Sequence, residues 1–145
     1  ADKVGIMGFS AGGHLAATAS TLGTFKPAFA ILVYPVITAE PGKGHQFSFD
    51  NLLGTKRTAE QSEYYSLQNR VTEATPPTLL FHSDDDTGVP AVNSALYYEA
   101  LKAHGVKASM HIYPVGEHGW GYLTTFPYHE AWKSAVLDWL RTVNR

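Results

Sequence analysis

Four short segments of the chain, rich in apolar residues and bounded mostly by glycine or proline, have the pattern of buried β-strands. Strands of a parallel sheet are covered on both faces, so they show nearly continuous apolar runs rather than strict alternation. The four predicted strands are residues 4–7, 29–33, 78–81 and 107–113. Pro35 and Pro114 end the second and the fourth of these runs.

Three longer segments have the 3.6-residue spacing of amphipathic helices. They cover residues 13–22, 91–104 and 128–143. In the first of them, Leu15, Ala19 and Leu22 recur at i, i+4 and i+7 as the apolar face. Strands that alternate with helices indicate right-handed crossovers. The predicted fold is therefore α/β, with a mostly parallel sheet of about four strands and flanking helices.

A polar, glycine-bearing excursion, residues 38–75, separates the second predicted strand from the third. A connection of this length is usually a lid, a binding loop or an insertion. We predict one short helix in it, near residues 60–65, and irregular structure elsewhere.

The composition fits one globular domain spanning residues 1–145. Hydrophobic residues make up 44% of the chain and charged residues 17%, so it is able to bury a core. The formal net charge of −2 gives no reason to expect nucleic acid or an anionic membrane as a partner. The absence of cysteine excludes disulfides and thiolate chemistry. No apolar run approaches the roughly 18–20 residues of a membrane span.

A G-x-S-x-G sequence (GFSAG, residues 8–12) lies between the first predicted strand and the helix after it. A serine on such a turn stands clear of the sheet, because small neighbours let the backbone approach closely. The N–H groups at the start of the helix then point toward the oxyanion that develops during attack, and Ala11 would donate one of them. Ser10 is thus a candidate nucleophile. A plain glycine-rich turn is the alternative that the motif alone leaves open.

A serine nucleophile needs a general base, because its free hydroxyl is a poor nucleophile at neutral pH. Of the seven histidines, His118 lies in a glycine-flanked loop just after a predicted strand. Active sites of open α/β sheets gather at the carboxyl ends of the strands, which favours His118. Considered alone, it would more often be a solvated loop histidine.

Three adjacent carboxylates, Asp84, Asp85 and Asp86, follow the third predicted strand. A triad needs one carboxylate to orient the imidazole and to stabilise its charged form. Such a cluster also suits a solvated loop or a cation, although together with His82 its spacing supports no particular metal geometry. The residues alone do not decide between Asp86 and Asp85.

The candidates occur along the chain in the order serine, aspartate, histidine, which is the order in α/β-hydrolases. The chain resembles bacterial acetylxylan esterase-like and lipase/carboxylesterase-like members of that superfamily. The blocks that carry the resemblance are GFSAGGHLA at 8–16, YPVI at 34–37, NLLG at 51–54, residues 76–90, NS at 93–94, YYEAL at 97–101, HIYP at 111–114 and HGWG at 118–121. The resemblance implies that Ser10 is the nucleophile, Asp86 the acid and His118 the base.

The resemblance also implies hydrolysis of short-chain carboxylic esters, often acetyl groups on plant polysaccharides, with no metal and no organic cofactor. Members of the family normally place several strands and a His-Gly-Gly-type oxyanion loop before the nucleophile turn. This chain starts at the strand that leads into the turn, so a partial α/β-hydrolase fold is expected. The strand at 4–7 would then expose an apolar edge, and we expect the missing N-terminal half or a second copy of the chain to cover it.

Three other functions remain open. The spacing G-x-S-x-x-G is close to a dinucleotide-binding fingerprint, but the second predicted strand ends without the acidic residue that this site needs. The chain is alternatively an inactive fragment or interaction module. The third alternative is a peptidase of the prolyl-oligopeptidase type.

Overall fold

The computed structural model describes residues 3–143, and a four-stranded parallel sheet lies at its centre. The strands are β1 (Ile6–Phe9), β2 (Ala30–Val33), β3 (Thr78–Ser83) and β4 (Ala108–Tyr113). Their order in the sheet is the order in the chain, and every neighbouring pair is parallel. The predicted α/β fold with about four parallel strands is therefore confirmed.

Five helices surround the sheet within the described residues. They are α1 (Ala11–Thr21), α2 (Gln46–Leu53), α3 (Ala59–Tyr64), α4 (Val92–Ala103) and α5 (His129–Val143), with a 3₁₀ turn at Leu67–Arg70. The predicted helices correspond to α1, α3, α4 and α5, whereas α2 was not predicted. No helix among residues 3–143 has both the length and the apolar composition to cross a bilayer.

The two faces of the sheet are covered by different helices. Every residue of β2 and β3 is buried. Leu32 and Leu80 pack with side chains of α1 and α4, whereas Ile31 and Leu79 pack with α5 around Trp132. Successive side chains of a strand point to opposite faces, so the central strands of a sheet covered on both sides favour apolar residues at consecutive positions, as in β2 and at 79–81 of β3. This arrangement explains the continuous apolar runs in the sequence.

The apolar face predicted for α1 is wrong at Leu15, which is 69% exposed, whereas Leu22, just after the helix, packs partly buried against the core. Apart from His14, the buried residues of the helix are small: Gly13, Ala16, Ala17, Ser20 and Thr21. A Cβ at Gly13 would press against Pro35, so this helix lies too close to the strand ends for a large side chain. Small residues permit that close approach, and Leu15 is left on the outer side.

The outer side of β1 has no pairing strand within residues 3–143. Met7 of β1 is 40% exposed and Leu137 of α5 is 57% exposed. The two side chains line a shallow apolar recess of about 180 Å³ together with Tyr122, Trp132 and Val136. The first sheet edge therefore presents apolar surface in the described part of the chain.

Candidate active site

Ser10 occupies a strained turn between β1 and α1. Its φ of 54° and ψ of −119° lie outside the regions that L-residues normally adopt. Gly8 makes the turn possible, because a Cβ at that position would overlap the carbonyl oxygen of Gly12. Ala11 is the first residue of α1, and its N–H therefore has no partner within the helix.

The structure brings Ser10, His118 and Asp86 together in one chain of hydrogen bonds. Oγ of Ser10 lies 2.8 Å from Nε2 of His118, and Nδ1 of His118 lies 2.6 Å from Oδ2 of Asp86. An ionised carboxylate only accepts hydrogen bonds, so Nδ1 carries the ring proton and Nε2 accepts from the serine hydroxyl. The three residues follow β1, β4 and β3, and they meet at the carboxyl edge of the sheet.

The side chain of Asp86 is fully buried and well supplied with donors. Oδ1 accepts the N–H of Gly88 at 3.0 Å and that of Val89 at 2.8 Å. Burial acts to raise the pKa of this carboxyl. The bonds from His118, His82 and Val89, with the charge on His118, outweigh burial and hold the pKa well below its usual range. The carboxylate is thus kept ionised beside the imidazole.

His82, at the end of β3, supports the Asp86 loop from within the core. Its Nδ1 lies 2.8 Å from Oγ of Ser94, and its Nε2 lies 2.7 Å from the carbonyl oxygen of Val89. The carbonyl requires a proton on Nε2, so Nδ1 accepts from the Ser94 hydroxyl. The same Nε2 is 3.5 Å from Oδ2 of Asp86. Nothing in the sequence indicated this role, because the contacts depend on how the turn after β3 brings Val89 and Ser94 back to this side chain.

The three adjacent aspartates have separate environments. Asp84 is exposed, Asp85 accepts the N–H groups of Gly116 and Glu117 at 3.2 and 2.7 Å, and Asp86 accepts from the imidazole. Among residues 3–143, no group of three or more histidine or acidic side chains is arranged to hold a metal ion.

Tyr34 is a further residue of the site. Its ring centroid is 4.7 Å from that of His118, and its hydroxyl accepts the N–H of Gly121 at 3.1 Å. Burial raises the pKa of Tyr34 and the charge of Asp86 raises it further, while the Gly121 contact lowers it. Trp120, also in the His118 loop, is instead a core residue, stacked on Phe126 at 4.1 Å.

An open, largely apolar groove of about 320 Å³ begins at Ala11 and runs between α1 and α2. Leu15, Phe49 and Leu52 contribute apolar surface to it. His14 also lines the groove and donates from Nε2 to the carbonyl oxygen of Tyr65 at 2.9 Å. Burial lowers the pKa of His14 more than this bond raises it, so the ring favours its neutral form.

The chain is similar to one protein family and to individual proteins that include an esterase and a xylanase. The model of the prolyl oligopeptidase family matches residues 1–144. The chain is 40% identical to an acetylxylan esterase of Xylanibacter ruminicola, over 98% of the chain and 31% of that protein. It is 36% identical to endo-1,4-beta-xylanase B of Butyrivibrio fibrisolvens, over 81% of the chain and 20% of that protein.

A solved structure shows the same fold. It is that of the acetyl ester-xyloside bifunctional hydrolase from Caldicellulosiruptor lactoaceticus, with a TM-score of 0.93 and 34% identity. The match covers 99% of this chain and 57% of the hydrolase. The chain thus spans about a third of the length of the esterase and somewhat more than half of that of the hydrolase.

Proposed function

The chain belongs to the prolyl oligopeptidase family of α/β-hydrolases, and from that premise we propose that it carries the catalytic triad of a carbohydrate esterase. The proposed reaction is the hydrolysis of short-chain carboxylic esters, in the first place acetyl esters of sugars. The observation that supports it is the unbroken chain of hydrogen bonds from Oγ of Ser10 through His118 to Asp86.

In the proposed mechanism Nε2 of His118 takes the hydroxyl proton of Ser10 while Oγ bonds to the ester carbonyl carbon. Asp86 stabilises the imidazolium that results. The N–H of Ala11 donates to the oxyanion of the tetrahedral intermediate. The imidazolium then protonates the departing alcohol and leaves an acyl-serine. Water attacks this acyl group with the same nitrogen as base, the carboxylic acid departs, and Ser10 regains its proton.

The relatives support an acetylated carbohydrate as substrate. Two of the three are an acetylxylan esterase and an acetyl ester-xyloside bifunctional hydrolase, at 40% and 34% identity. We propose that the groove beginning at Ala11 offers apolar surface to one side of the ester. No bound metal or organic cofactor takes part in the proposed steps, because serine, imidazole and carboxylate together supply the nucleophile and the proton transfers.

The family name also indicates a second candidate, a serine peptidase that cleaves after proline. The same triad attacks esters and amides, so the geometry of these three residues does not distinguish them. Hydrolysis of p-nitrophenyl acetate and acetylated xylan, compared with a proline p-nitroanilide, separates the two. Preference for the anilide would overturn the esterase assignment.

We further propose that the single domain of residues 1–145 acts with its β1 edge covered, by additional chain or by a second copy. The exposed Met7 and Leu137 support this proposal, since monomeric proteins rarely leave wide apolar patches in water. Sedimentation of the purified protein tests the second-copy form. A monomer in which the β1 amides exchange as freely as those of a loop would contradict the second-copy form, and a longer chain that left those amides equally unprotected would contradict the other.

The direct test of the proposed function is labelling with a fluorophosphonate, read by intact mass. We expect the protein to gain one phosphonyl group and Ser10→Ala to gain none. Ser134→Ala is the matched control, because Ser134 is exposed on α5, away from the strand ends. Labelling of Ser10→Ala at the wild-type rate would exclude Ser10 as the nucleophile.

A further inference from the structure

We propose that Asp85 is a positioning residue that sets the conformation of the loop carrying His118. The proposal rests on the proposed function, because it concerns the base of the same triad. Oδ1 of Asp85 accepts the N–H of Glu117 at 2.7 Å, and Oδ2 accepts the N–H of Gly116 at 3.2 Å. The two oxygens of one carboxylate thus hold two successive amides directly before the histidine.

The backbone at this point needs such a partner. Glu117 has a φ of 54° and Gly116 a φ of 149°, both in the left-handed half of φ space. Glutamate adopts a positive φ only when its surroundings impose it. Successive N–H groups that converge in this way form a concave site for an anion, and the Asp85 carboxylate fills it. The conformation of Glu117 sets the direction in which the chain enters His118.

On the amino-terminal side of this loop Val115 and Glu117 are exposed, and the His118 side chain is itself 29% exposed. Gly116 is half-buried against Phe126, so packing fixes the place of its Cα but leaves Glu117 without a packed side chain. The other side of the loop is held differently. There Nε1 of Trp120 donates to Oγ of Ser83 at 2.9 Å, and the N–H of Gly121 donates to Tyr34. Asp85 therefore supplies the side-chain hydrogen bonds that hold residues 116 and 117, directly before the histidine.

The position of the imidazole has to be accurate for the reaction. Its two nitrogens lie 2.8 Å from Ser10 and 2.6 Å from Asp86, so a shift of the loop lengthens both bonds. Misplacement of a catalytic group by 1 Å lowers a rate by about 10²-fold. Asp85 touches none of the reacting atoms, and its contribution to the rate acts through the backbone of residues 116 and 117.

The matched experiment compares Asp85→Ala and Asp85→Asn with Asp84→Asn, the neighbouring exposed carboxylate. We expect Asp85→Ala to slow fluorophosphonate labelling of Ser10 by about 10–100-fold. For p-nitrophenyl acetate, kcat should fall and KM should stay within about twofold, because the lost alignment matters in the transition state. Asp85→Asn keeps one acceptor oxygen, so its labelling rate and its kcat should lie between those of the wild type and those of Asp85→Ala. Asp84→Asn should match the wild type.

A second readout is independent of activity. In proton NMR spectra the Nδ1–H of His118, held at 2.6 Å by Asp86, should give a downfield resonance in the wild type and in Asp84→Asn. In the Asp85 variants that resonance should broaden, and the amides of Gly116 and Glu117 should exchange faster with solvent. Circular dichroism establishes that the variants are folded. If Asp85→Ala does not fold, Asp85→Asn alone decides.

The outcomes separate the two proposals. Wild-type protein that is folded and shows the resonance, yet does not label, contradicts the proposed function, whereas the NMR comparison still tests Asp85. An Asp85 variant that keeps the wild-type labelling rate, resonance and amide exchange overturns the positioning role. Equal losses in the Asp84 and Asp85 variants overturn it as well, because they would point to a general effect of charge.

Discussion

Replacing Asp86 by asparagine separates the charge of the acid from its shape. The amide oxygen of asparagine can still accept the N–H groups of Gly88 and Val89, which Oδ1 holds at 3.0 and 2.8 Å. The amide NH₂ then faces Nδ1 of His118, where the carboxylate oxygen lay at 2.6 Å. Two donors cannot share a hydrogen bond, so the ring changes tautomer and Nε2 carries the proton. In that form it cannot accept from Ser10.

The expected effect on activity is large and the effect on folding is modest. The loss of the correct tautomer in a serine triad lowers kcat by about 10⁴-fold. The loss of one hydrogen bond to a charged group lowers the free energy of unfolding by about 1.5–3 kcal/mol. A loss of activity this much larger than the loss of stability is not explained by unfolding, and it indicates a wrong tautomer, a displaced imidazole or an imidazolium that is no longer stabilised.

The stability difference should depend on pH in one direction. Burial is outweighed by the contacts with His118, His82 and Val89, so the folded pKa of Asp86 lies below its unfolded value. The resulting stabilisation is fully present above about pH 4, the usual range of an unfolded aspartate, and is lost as the pH falls further. The free energies of unfolding of the wild type and of Asp86→Asn should therefore become more alike as the solution is acidified.

Urea unfolding at pH 7 and near pH 3, with p-nitrophenyl acetate hydrolysis at pH 7, measures both effects. Asp84→Asn serves as the control for the loss of one negative charge. Activity of Asp86→Asn within about tenfold of the wild type would refute the role of Asp86 as the residue that orients His118.

Further substitutions test the support of the site. Alanine at Gly8 should destabilise the fold by about 1–3 kcal/mol in urea unfolding, because its Cβ would overlap the Gly12 carbonyl oxygen. Alanine at Gly12, where the space is open, should stabilise α1 by roughly 0.5–1 kcal/mol, and equal losses at both positions would contradict this account of the turn. Burial lowers the pKa of His111, so acidification below about pH 6.5 favours the unfolded chain, which takes up the proton more readily. His111→Phe should flatten that dependence, and an unchanged pH profile would count against it. Trp120→Phe and Ser83→Ala should each lower the free energy of unfolding by about 1 kcal/mol, because each removes the hydrogen bond between Nε1 of Trp120 and Oγ of Ser83. The double variant should lose less than the sum of the two, and a loss equal to the full sum would mean that this bond contributes nothing.

The sheet was predictable because each strand has a recognisable local sequence pattern. β2 and β3 are buried on both faces. β2 is apolar throughout and β3 contains an apolar run at 79–81, while Pro77 precedes β3 and Pro35 closely follows β2. Their parallel order follows from the handedness of the crossovers. The face of α1 was not predictable in the same way. Which side of a helix is buried depends on how closely the helix approaches the sheet. Here the small residues Ala16 and Ala17 are buried, and Leu15 is exposed.

The two helices of the 38–75 excursion show where local signals end. Helix α3 begins with a capping box, in which Thr58 and Gln61 satisfy each other's backbone N–H groups, and a helix was predicted there. Helix α2 buries only Phe49 and has no side-chain cap. Its side-chain hydrogen bonds include two from Arg57, to Asp50 and Gln46, and one from Gln46 to the carbonyl oxygen of Ala39. Those bonds form only once the chain is folded, so the sequence carried no local sign of the helix.

At the candidate site the sequence indicated which types of residue are needed, but only the three-dimensional geometry separates the roles of two neighbouring residues of the same type. Asp85 and Asp86 are equivalent as sequence, yet one carboxylate contacts the backbone of the histidine loop and the other contacts the imidazole. His82 and Tyr34 were not assigned to the site. His82 contacts Asp86 from within the core, and an aromatic residue at a strand end, such as Tyr34, is as often a core residue as part of a site. Roles of this kind depend on distances between segments, and spacing along the chain does not contain them.

Backbone strain in the described residues is concentrated at the same rim. The non-glycine residues with a positive φ among residues 3–143 are Ser10, Tyr34 and Glu117, at 54°, 37° and 54°. They follow β1, β2 and β4, and each N–H is held by a neighbouring segment: Ser10 and Tyr34 donate to carbonyls of the adjacent strands at 3.0 and 2.7 Å, and Glu117 donates to Asp85. Such conformations cost about 1–3 kcal/mol each and persist only where the surrounding structure imposes them. A fold that needed only to bury its core would have no reason to place all three around His118. The strain is explained if this edge of the sheet has to hold a hydroxyl, an aromatic ring and an imidazole in a fixed relation. Glu117→Gly relaxes the strain at one of the three positions. It should therefore raise the free energy of unfolding in urea while it lowers the rate of p-nitrophenyl acetate hydrolysis.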